Sequence, residues 1–438
     1  MKRFIEDQFA NILESADRRV VLLEGARQVG KSHLVRSALE RIDRPSICFD
    51  LEKDRKFRHQ LGETEDFQDF RAWLEHRHKV GTGSILFIDE AQESPKLAGY
   101  IKSFKEDWPE VKVILTGSSM NRLFENGPRY PVGRTRSLCL YGFSFGEFVQ
   151  CVHNEELAQM TQVAPQQPLP RSIHTLLLEL FDQYLQVGGY PEAVLAAKRN
   201  EDYREVLTEI VLAQEEDFAR KEAYDPELFR MTLRAVANHI GSPSKYTHLD
   251  TTKYKAKQVI SAMKAWHLLL VTEVRSLDPG RDGFLPKRYL HDPALANLFR
   301  TVATPPISLL HTVAPLLRTP LGGLFENAVL LHLLNGLSAR TTIGTWKKGN
   351  NTSIEVDFVL ENNQQRIPVE CKAALNLKRA HHKNVLAYLK ATGQPLGLTV
   401  TAAPYAEQTI DGFQIINLPI YLANRTVIEQ IAQRPEKS

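Results

Sequence analysis

Cysteine is scarce in this chain. Only four of its 438 residues are cysteine, Cys48, Cys139, Cys151 and Cys371, far apart and without a C-x-x-C pair. That spacing argues against a zinc site and fits a reducing compartment. Charge of one sign is also lacking, with 55 Lys and Arg against 52 Asp and Glu and a net charge of +3. So mild a balance does not establish nucleic-acid binding, and any basic surface has to be local. No apolar run approaches the ~20 residues that span a bilayer. The N-terminal MKRFIEDQFANILESADRR is charged and has no apolar h-region, so it does not read as a signal peptide. Internal repeats are absent, as are low-complexity tracts beyond the linkers. The expectation is a soluble cytoplasmic protein without a membrane partner. With 43% hydrophobic and 24% charged residues it can bury sizeable cores, and its length suggests two to four domains.

What is present is most specific between Val20 and Glu40, VVLLEGARQVGKSHLVRSALE. An apolar β-rich run leads into Gly25, Ala26, Arg27, Gln28, Val29, Gly30, Lys31 and Ser32, which fit G-x-x-x-x-G-K-[ST]. Leu34, Val35, Ala38 and Leu39 then follow at helical spacing. Glycines let the backbone wrap a polyphosphate, and the N–H groups of the loop and helix start point at the anion. Lys31 can bridge β- and γ-phosphates, and the Ser32 hydroxyl can coordinate Mg²⁺.

A second buried strand, Ile85 to Ile88, ends in Asp89 and Glu90. Asp89 is a candidate to hold Mg²⁺ through water, and Glu90 to orient or deprotonate the attacking water. A third strand ends in Thr116-Gly-Ser118-Ser119. Thr116 or Ser118 is either a γ-phosphate sensor or part of a polar turn.

GARQVGKS, ILFIDEAQ and VILTGSS, in that order, resemble the core of AAA-type (ASCE) P-loop ATPases. Gly133-Arg134-Thr135 and LYGFSFGEF resemble one uncharacterised prokaryotic subfamily, in which the AAA module is fused to a C-terminal domain of unknown function. The resemblance implies ATP as ligand and Arg134 as arginine finger, with Arg122, Arg129 and Arg136 as rivals. A finger acting in trans requires a homo-oligomer. The alternative is a solvated arginine cluster.

Val163 to Arg171, VAPQQPLPR, reads as a linker closing the first domain. The GGYPE stretch from Gly188 resembles the same subfamily, but no chemistry is visible in it. Phe229–Ile240 and Thr251–Leu268 read as helices, the second carrying Lys253, Lys255, Lys257 and Lys264. Two β-like runs follow, Leu269–Ser276 and Leu285–His291, joined by a turn from Asp278 to Gly283. Helix, turn, basic helix and hairpin is the order of a winged helix-turn-helix, which contacts either DNA phosphates or a protein.

After a proline-rich stretch, Phe325-Glu326-Asn327 lies on an apolar helix. Ile354-Glu-Val-Asp357-Phe-Val and Ile367-Pro-Val-Glu370-Cys371-Lys372 follow and read as a hairpin. Alternation puts Glu355 with Asp357 on one face, and Glu370 with Lys372. Asp357 and Glu370, joined by Glu326, can hold Mg²⁺. Lys372 can orient or activate water and steady developing charge. E…D…E-x-K resembles the PD-(D/E)xK nucleases, although Val356 stands where that name has proline.

The fold class expected is α/β. Residues 1–160 form a P-loop AAA-type parallel sheet with helices. Residues 172–300 form a helical region with the winged helix, and 318–438 a restriction-endonuclease-like α/β domain. The resemblance implies an ATP-hydrolysing protein with an Mg²⁺-dependent nuclease-like end acting on DNA in processing, repair or defence. Its rival is an ATP-controlled switch or scaffold whose end domain only binds.

Overall fold

The computed structural model describes residues 2–120, 123–124, 133–222, 224–249, 251–276, 284–300, 302–314, 318–336, 341–349, 354–362 and 365–434. The chain divides into two compact units. The first holds Met1–Leu140 and the short segment Ala265–His267. Its strands are β1 (Val20–Glu24), β2 (Ser46–Asp50), β3 (Ile85–Asp89), β4 (Lys112–Gly117) and β5 (Thr135–Cys139). They run parallel in the order β2-β3-β4-β1-β5. β3 and β4 are buried along their whole length, as a parallel sheet covered by helices requires. Around the sheet come α1 (Glu6–Glu14), α2 (Lys31–Leu39), α3 (Arg55–Glu63), α4 (Phe67–His78) and α5 (Lys96–Glu106). α3 and α4 start where the side chains of Asp54 and Asp66 accept the N–H groups of Phe57 and Asp69. Phe57, Phe70, Phe104 and Trp108 pack with Leu22, Leu86, Ile88 and Leu115 into one core.

The second unit comprises Tyr141–Lys264, Leu268–Asn335 and Arg340–Ser438. Its helical part runs through α6 (Phe145–Val152), α7 (Glu155–Met160), α8 (Arg171–Val187), α9 (Pro191–Lys198), α10 (Tyr203–Glu222), α11 (Pro226–Asn238) and α12 (Lys253–Ala265). The strands β6 (Leu269–Thr272), β7 (Val274–Arg275) and β8 (Lys287–Leu290) come next, then α13 (Pro293–Phe299) and α14 (Thr319–Leu334). The last part holds β9 (Thr341–Lys347), β10 (Glu355–Asn362), β11 (Gln365–Lys372), α15 (Lys383–Thr392), β12 (Leu396–Thr401), β13 (Ala406–Ile410), β14 (Phe413–Pro419) and α16 (Arg425–Ala432).

Two sheets result. β6 pairs antiparallel with β8, and seven strands form a mixed sheet in the order β13-β14-β12-β11-β10-β9-β7. The residues expected as a middle region and as a C-terminal domain lie almost entirely in the second unit. β7, from the middle of the chain, is an edge strand of the C-terminal sheet, pairing Val274 with Thr345. The Pro- and Gln-rich stretch read as a linker lies within the second unit. The Ala164 N–H bonds the Gln430 side chain at 2.7 Å, and Arg434 donates to the Pro165 carbonyl at 2.7 Å. The turn from Asp278 to Gly283 lies outside the described residues.

The two unexplained motifs, LYGFSFGEF and GGYPE, pack on each other. Phe143 donates its N–H to the Gly189 carbonyl at 2.6 Å, and a Cβ on Gly189 would lie 2.5 Å from the Phe143 carbonyl oxygen. Gly188 has φ +80 and a Cβ there would meet the Asp292 carboxylate at 2.1 Å. That carboxylate accepts the Gly189 N–H at 2.7 Å and caps α13 through Ala294 at 2.8 Å. The paired glycines are thus places of close backbone approach.

His332 on α14 lies among Phe145, Phe181 and Tyr184, with ring centroids 6.4, 5.7 and 5.7 Å away. Burial alone pushes its pKa from 6.5 down to about 3. The native state thus keeps the imidazole neutral while the unfolded chain binds a proton below pH 6.5. Stability from this site is complete above that pH and is lost as pH falls toward 3, by about 1.4 kcal/mol per pH unit. In His332→Leu the urea-unfolding free energy should lose about that much of its slope between pH 6 and pH 4.

Candidate functional site

The first cluster lies at the carboxyl edge of the parallel sheet, where ligands bind in open α/β folds. β1 ends at Glu24, and the chain turns at Gly25 with φ +148. A Cβ on Gly25 would stand 2.2 Å from the Leu140 carbonyl oxygen, so no other residue fits. Gln28 (φ 65) and Gly30 (φ 94) are left-handed, and Gly30 is the residue from which α2 starts. The free N–H groups of the first turn of α2 therefore border the loop. Lys31 is buried, and its ammonium donates to the Gly25 and Ala26 carbonyls at 2.9 Å each. Burial pulls its pKa down while Glu90 and Asp89 oppose the shift. Ala26 and Val29 are buried, Arg27 pairs with Glu52 at 3.3 Å, and Arg3 donates to the Val29 carbonyl at 3.2 Å. Ser32 follows Lys31, half-buried on the first turn.

Asp89 ends β3, buried. Its Oδ1 accepts the Thr116 hydroxyl and, at 3.1 Å, the Glu90 N–H. Glu90 is left-handed at φ 51, and the Gln92 amide donates to its Oε2. Gln92 lies over Gly117, where a Cβ would stand 2.1 Å from the Gln92 Oε1. Thus Thr116 braces Asp89, and Gly117 makes room for the side chain that braces Glu90. Of the two sensor candidates, Thr116 touches the acid pair, and Ser118 is buried two residues on. The donor set suits a nucleotide with its magnesium ion: a glycine cradle, an ammonium on exchangeable carbonyls, a hydroxyl and a braced acid.

His267 lies in the same unit. Its Nε2 is 3.3 Å from Glu24 Oε2 and its Nδ1 is 3.5 Å from Cys139 Sγ. Its φ of 58 is left-handed. Arg134 lies elsewhere: its carbonyl accepts the Val20 N–H and its side chain pairs with Glu106 at 2.9 Å. That is the amino edge of β5, roughly 13 Å of strand rise from the loop after β1. Arg136 is on the same strand, 3.7 Å from Asp17. Arg122 and Arg129 lie outside the described residues.

The second cluster is in the mixed sheet. β10 and β11 pair antiparallel with Phe358 opposite Val369, which sets Asp357 beside Glu370. Val356 faces Trp346 and Val359 faces Gly344, so Asp357 and Phe358 bulge against Thr345 alone. A bulge turns a side chain out of the ladder's regular direction. Thr345 fixes this one by donating to the Asp357 carbonyl at 2.9 Å, and Asp357 Oδ2 accepts the Cys371 N–H at 2.8 Å. Lys372 Nζ is 2.7 Å from Glu370 Oε1, and Asn384 donates to that oxygen at 2.9 Å. Glu370 Oε2 is buried without a hydrogen-bond partner. Burial, then Asp357, push the Glu370 pKa up to about 8, against Lys372 and Asn384.

The structure brings Glu326 to this cluster, together with a side chain that pattern reading missed. Lys287 on β8 lies 2.8 Å from Glu355 Oε1, 3.0 Å from Glu326 Oε1 and 3.4 Å from Asp357 Oδ1. Burial opposes its charge, but Glu326 and Asp357, then Tyr289 and Glu355, outweigh it and hold the ammonium well above the usual lysine range. The Tyr289 hydroxyl donates to Glu326 Oε1 at 2.5 Å. Asn327, next to Glu326, accepts the Leu290 N–H at 2.7 Å and donates to the Leu290 carbonyl at 3.0 Å. It thereby completes the open edge of β8. Among the described residues no group of three or more His, Cys, Asp or Glu side chains is arranged to hold a metal ion. Glu326, expected as a metal ligand, is taken up by Lys287 and Tyr289. The pair Asp357 and Glu370, with its unpartnered oxygen, retains a donor set that fits one divalent ion.

The sheet order, the glycine cradle and the braced acid pair give the N-terminal unit a fold typical of P-loop ATPases. Residues 17–149 match a family model described as an AAA domain. Residues 178–305 and 321–421 match two described as domains of unknown function, DUF8612 and DUF4143. No curated protein matches the chain. Among solved structures, the chain is similar to a Walker-type ATPase of Pyrococcus abyssi, at 16% identity and TM-score 0.43 over 68% of this chain and 95% of that one. It is also similar to the RuvB Holliday junction branch migration motor of Thermotoga maritima, at 16% identity and TM-score 0.31 over 62% and 90%. Among the described residues no helix is long and apolar enough to cross a membrane, and all four cysteines are free thiols.

Asn327→Leu leaves the Leu290 N–H and carbonyl buried and unpaired. Urea unfolding of this variant should show a loss of about 2–5 kcal/mol.

Proposed function

We propose that this chain binds and hydrolyses ATP, and that its C-terminal part is a nuclease-like domain acting on DNA in processing, repair or defence. The observation that carries the first half is the acid pair beside the phosphate loop, with Asp89 braced by Thr116 and Glu90 braced by Gln92. The loop N–H groups bind the phosphates. Lys31 exchanges the carbonyls of Gly25 and Ala26 for phosphate oxygens. Glu90 takes the proton of the attacking water. Magnesium, held through Ser32 and Asp89, supplies charge neutralisation. Arg134 is too far along the sheet to serve its own loop, so a finger role for it implies a second copy of the chain.

The DNA reading draws support from α12. Lys253, Lys255, Lys257 and Lys264 are exposed there, and Tyr254 is 71% exposed among them. Lysines with an interleaved aromatic suit phosphate and base contacts. In the C-terminal cluster Asp357 and Glu370 are the metal-binding pair and Lys372 steadies the charge that develops on the phosphate. A second reading, an ATP-controlled switch or scaffold whose end domain only binds, is favoured by Lys287 lying within the carboxylates.

Lys31→Ala should weaken ATP binding at least ~100-fold by filter binding. Glu90→Gln should bind ATP normally and lose ~10²–10⁴-fold in turnover; undiminished turnover would remove Glu90 from its role. Plasmid and oligonucleotide cleavage with Mg²⁺ and ATP should disappear in Asp357→Ala. If wild type and Asp357→Ala give the same products, the switch reading stands instead.

A further inference from the structure

Lys287 is a cationic member of the C-terminal cluster that the E…D…E-x-K pattern does not account for. It comes from β8, ahead of the segment that supplies the carboxylates, and its side chain is 3% exposed. Its ammonium meets Glu355, Glu326 and Asp357, as many acceptors as it has protons to give. Nothing about this contact is casual. The pairing of β6 with β8 sets Lys287 opposite Thr272, and Asn327 holds the other edge of β8 at Leu290. Gly241, at φ +73, lies so close behind Glu326 that a Cβ would stand 2.7 Å from its Oε2.

The cluster therefore has two halves that share Asp357. On one side Lys287 takes Asp357 Oδ1 with Glu326 and Glu355. On the other, Glu370 keeps Oε2 buried and unpartnered while Lys372 and Asn384 satisfy Oε1. An ammonium and a divalent ion compete for the same carboxylate oxygens, and a buried cation repels a second one at close range. β8 pairs with β6 alone in a two-stranded ribbon, and on its other side the N–H groups of Gly241 and Ser244 bond the Arg288 and Pro286 carbonyls at 3.5 and 3.0 Å.

We propose that Lys287 is an internal cation that stands in for a divalent ion, so that metal binds tightly at Asp357 and Glu370 only when Lys287 is withdrawn from the carboxylates. The proposal rests on the reading of Asp357 and Glu370 as a metal-binding pair. It makes the C-terminal site a composite: one segment supplies the acids and another supplies the residue that keeps metal out.

The test is Mn²⁺ binding to the full chain, followed by electron paramagnetic resonance without nucleotide. A Lys31→Ala background silences the phosphate loop. Adding Lys287→Met should tighten Mn²⁺ binding at least tenfold, and further addition of Asp357→Asn should abolish the gain. In EDTA the Lys287→Met protein should melt below its parent, and Mn²⁺ should raise the melting temperature of the variant only. Asn327→Leu, which frees β8 without touching a charge, should also tighten binding several-fold and serves if Lys287→Met fails to fold. Equal Mn²⁺ affinity in the parent and these variants, lost with Asp357→Asn, overturns the proposal and leaves the metal-site reading intact. Tight binding that survives Asp357→Asn, or none in any protein, overturns both.

Discussion

The second unit is organised around one buried positive charge. A lysine ammonium taken out of water is tolerated only with partners, and breaking such a pair by removing one side costs about 3–5 kcal/mol. The partners of Lys287 lie 39 and 70 residues onward, at Glu326 and Asp357. β8, α14 and β10 must therefore reach their positions together, or a charge is stranded. This constraint ties the middle and C-terminal stretches together within the second unit. It also explains why Asn327 and Tyr289, which carry no charge of their own, converge on the same spot.

Lys31 offers an instructive contrast. It too is buried, but its acceptors are main-chain carbonyls, whose partial charges hold an ammonium weakly enough for a phosphate to replace them. Lys287 sits on full negative charges. Partial charges hold one lysine and full charges the other, although both are buried to a similar degree.

This contrast also marks where the sequence could be read. The phosphate loop was legible because it binds through consecutive backbone groups, so its requirements are written in eight adjacent residues. Asp89 and Glu90 were legible as the polar end of an apolar strand, and Asp357 with Glu370 by alternation across a hairpin. Gln92 and Gly117 were not, because their fit depends on two strands being neighbours. Nor was Lys287: in sequence it is a lone lysine of the hairpin beside Arg288, and its acids lie on elements not yet encountered. The Pro- and Gln-rich stretch was legible only in part for a related reason. Composition indicated an exposed connection, and most of its residues are exposed, but it could not show that Gln430 and Arg434, near the end of the chain, bond its backbone at Ala164 and Pro165. The glycines of GGYPE could be read as backbone freedom, but not that Asp292 and Phe143 would press against them.

His267 adds a consequence for the order of synthesis. The five strands of the first unit are complete once Cys139 has been made. Its thiol and the Glu24 carboxylate meet the imidazole of a residue 128 positions later. At ~5–20 residues per second that is a delay on the order of ten seconds, during which the nascent sheet is whole but this corner beside the phosphate loop is unfinished. The ribosome thus imposes a waiting period before the unit can reach its mature form.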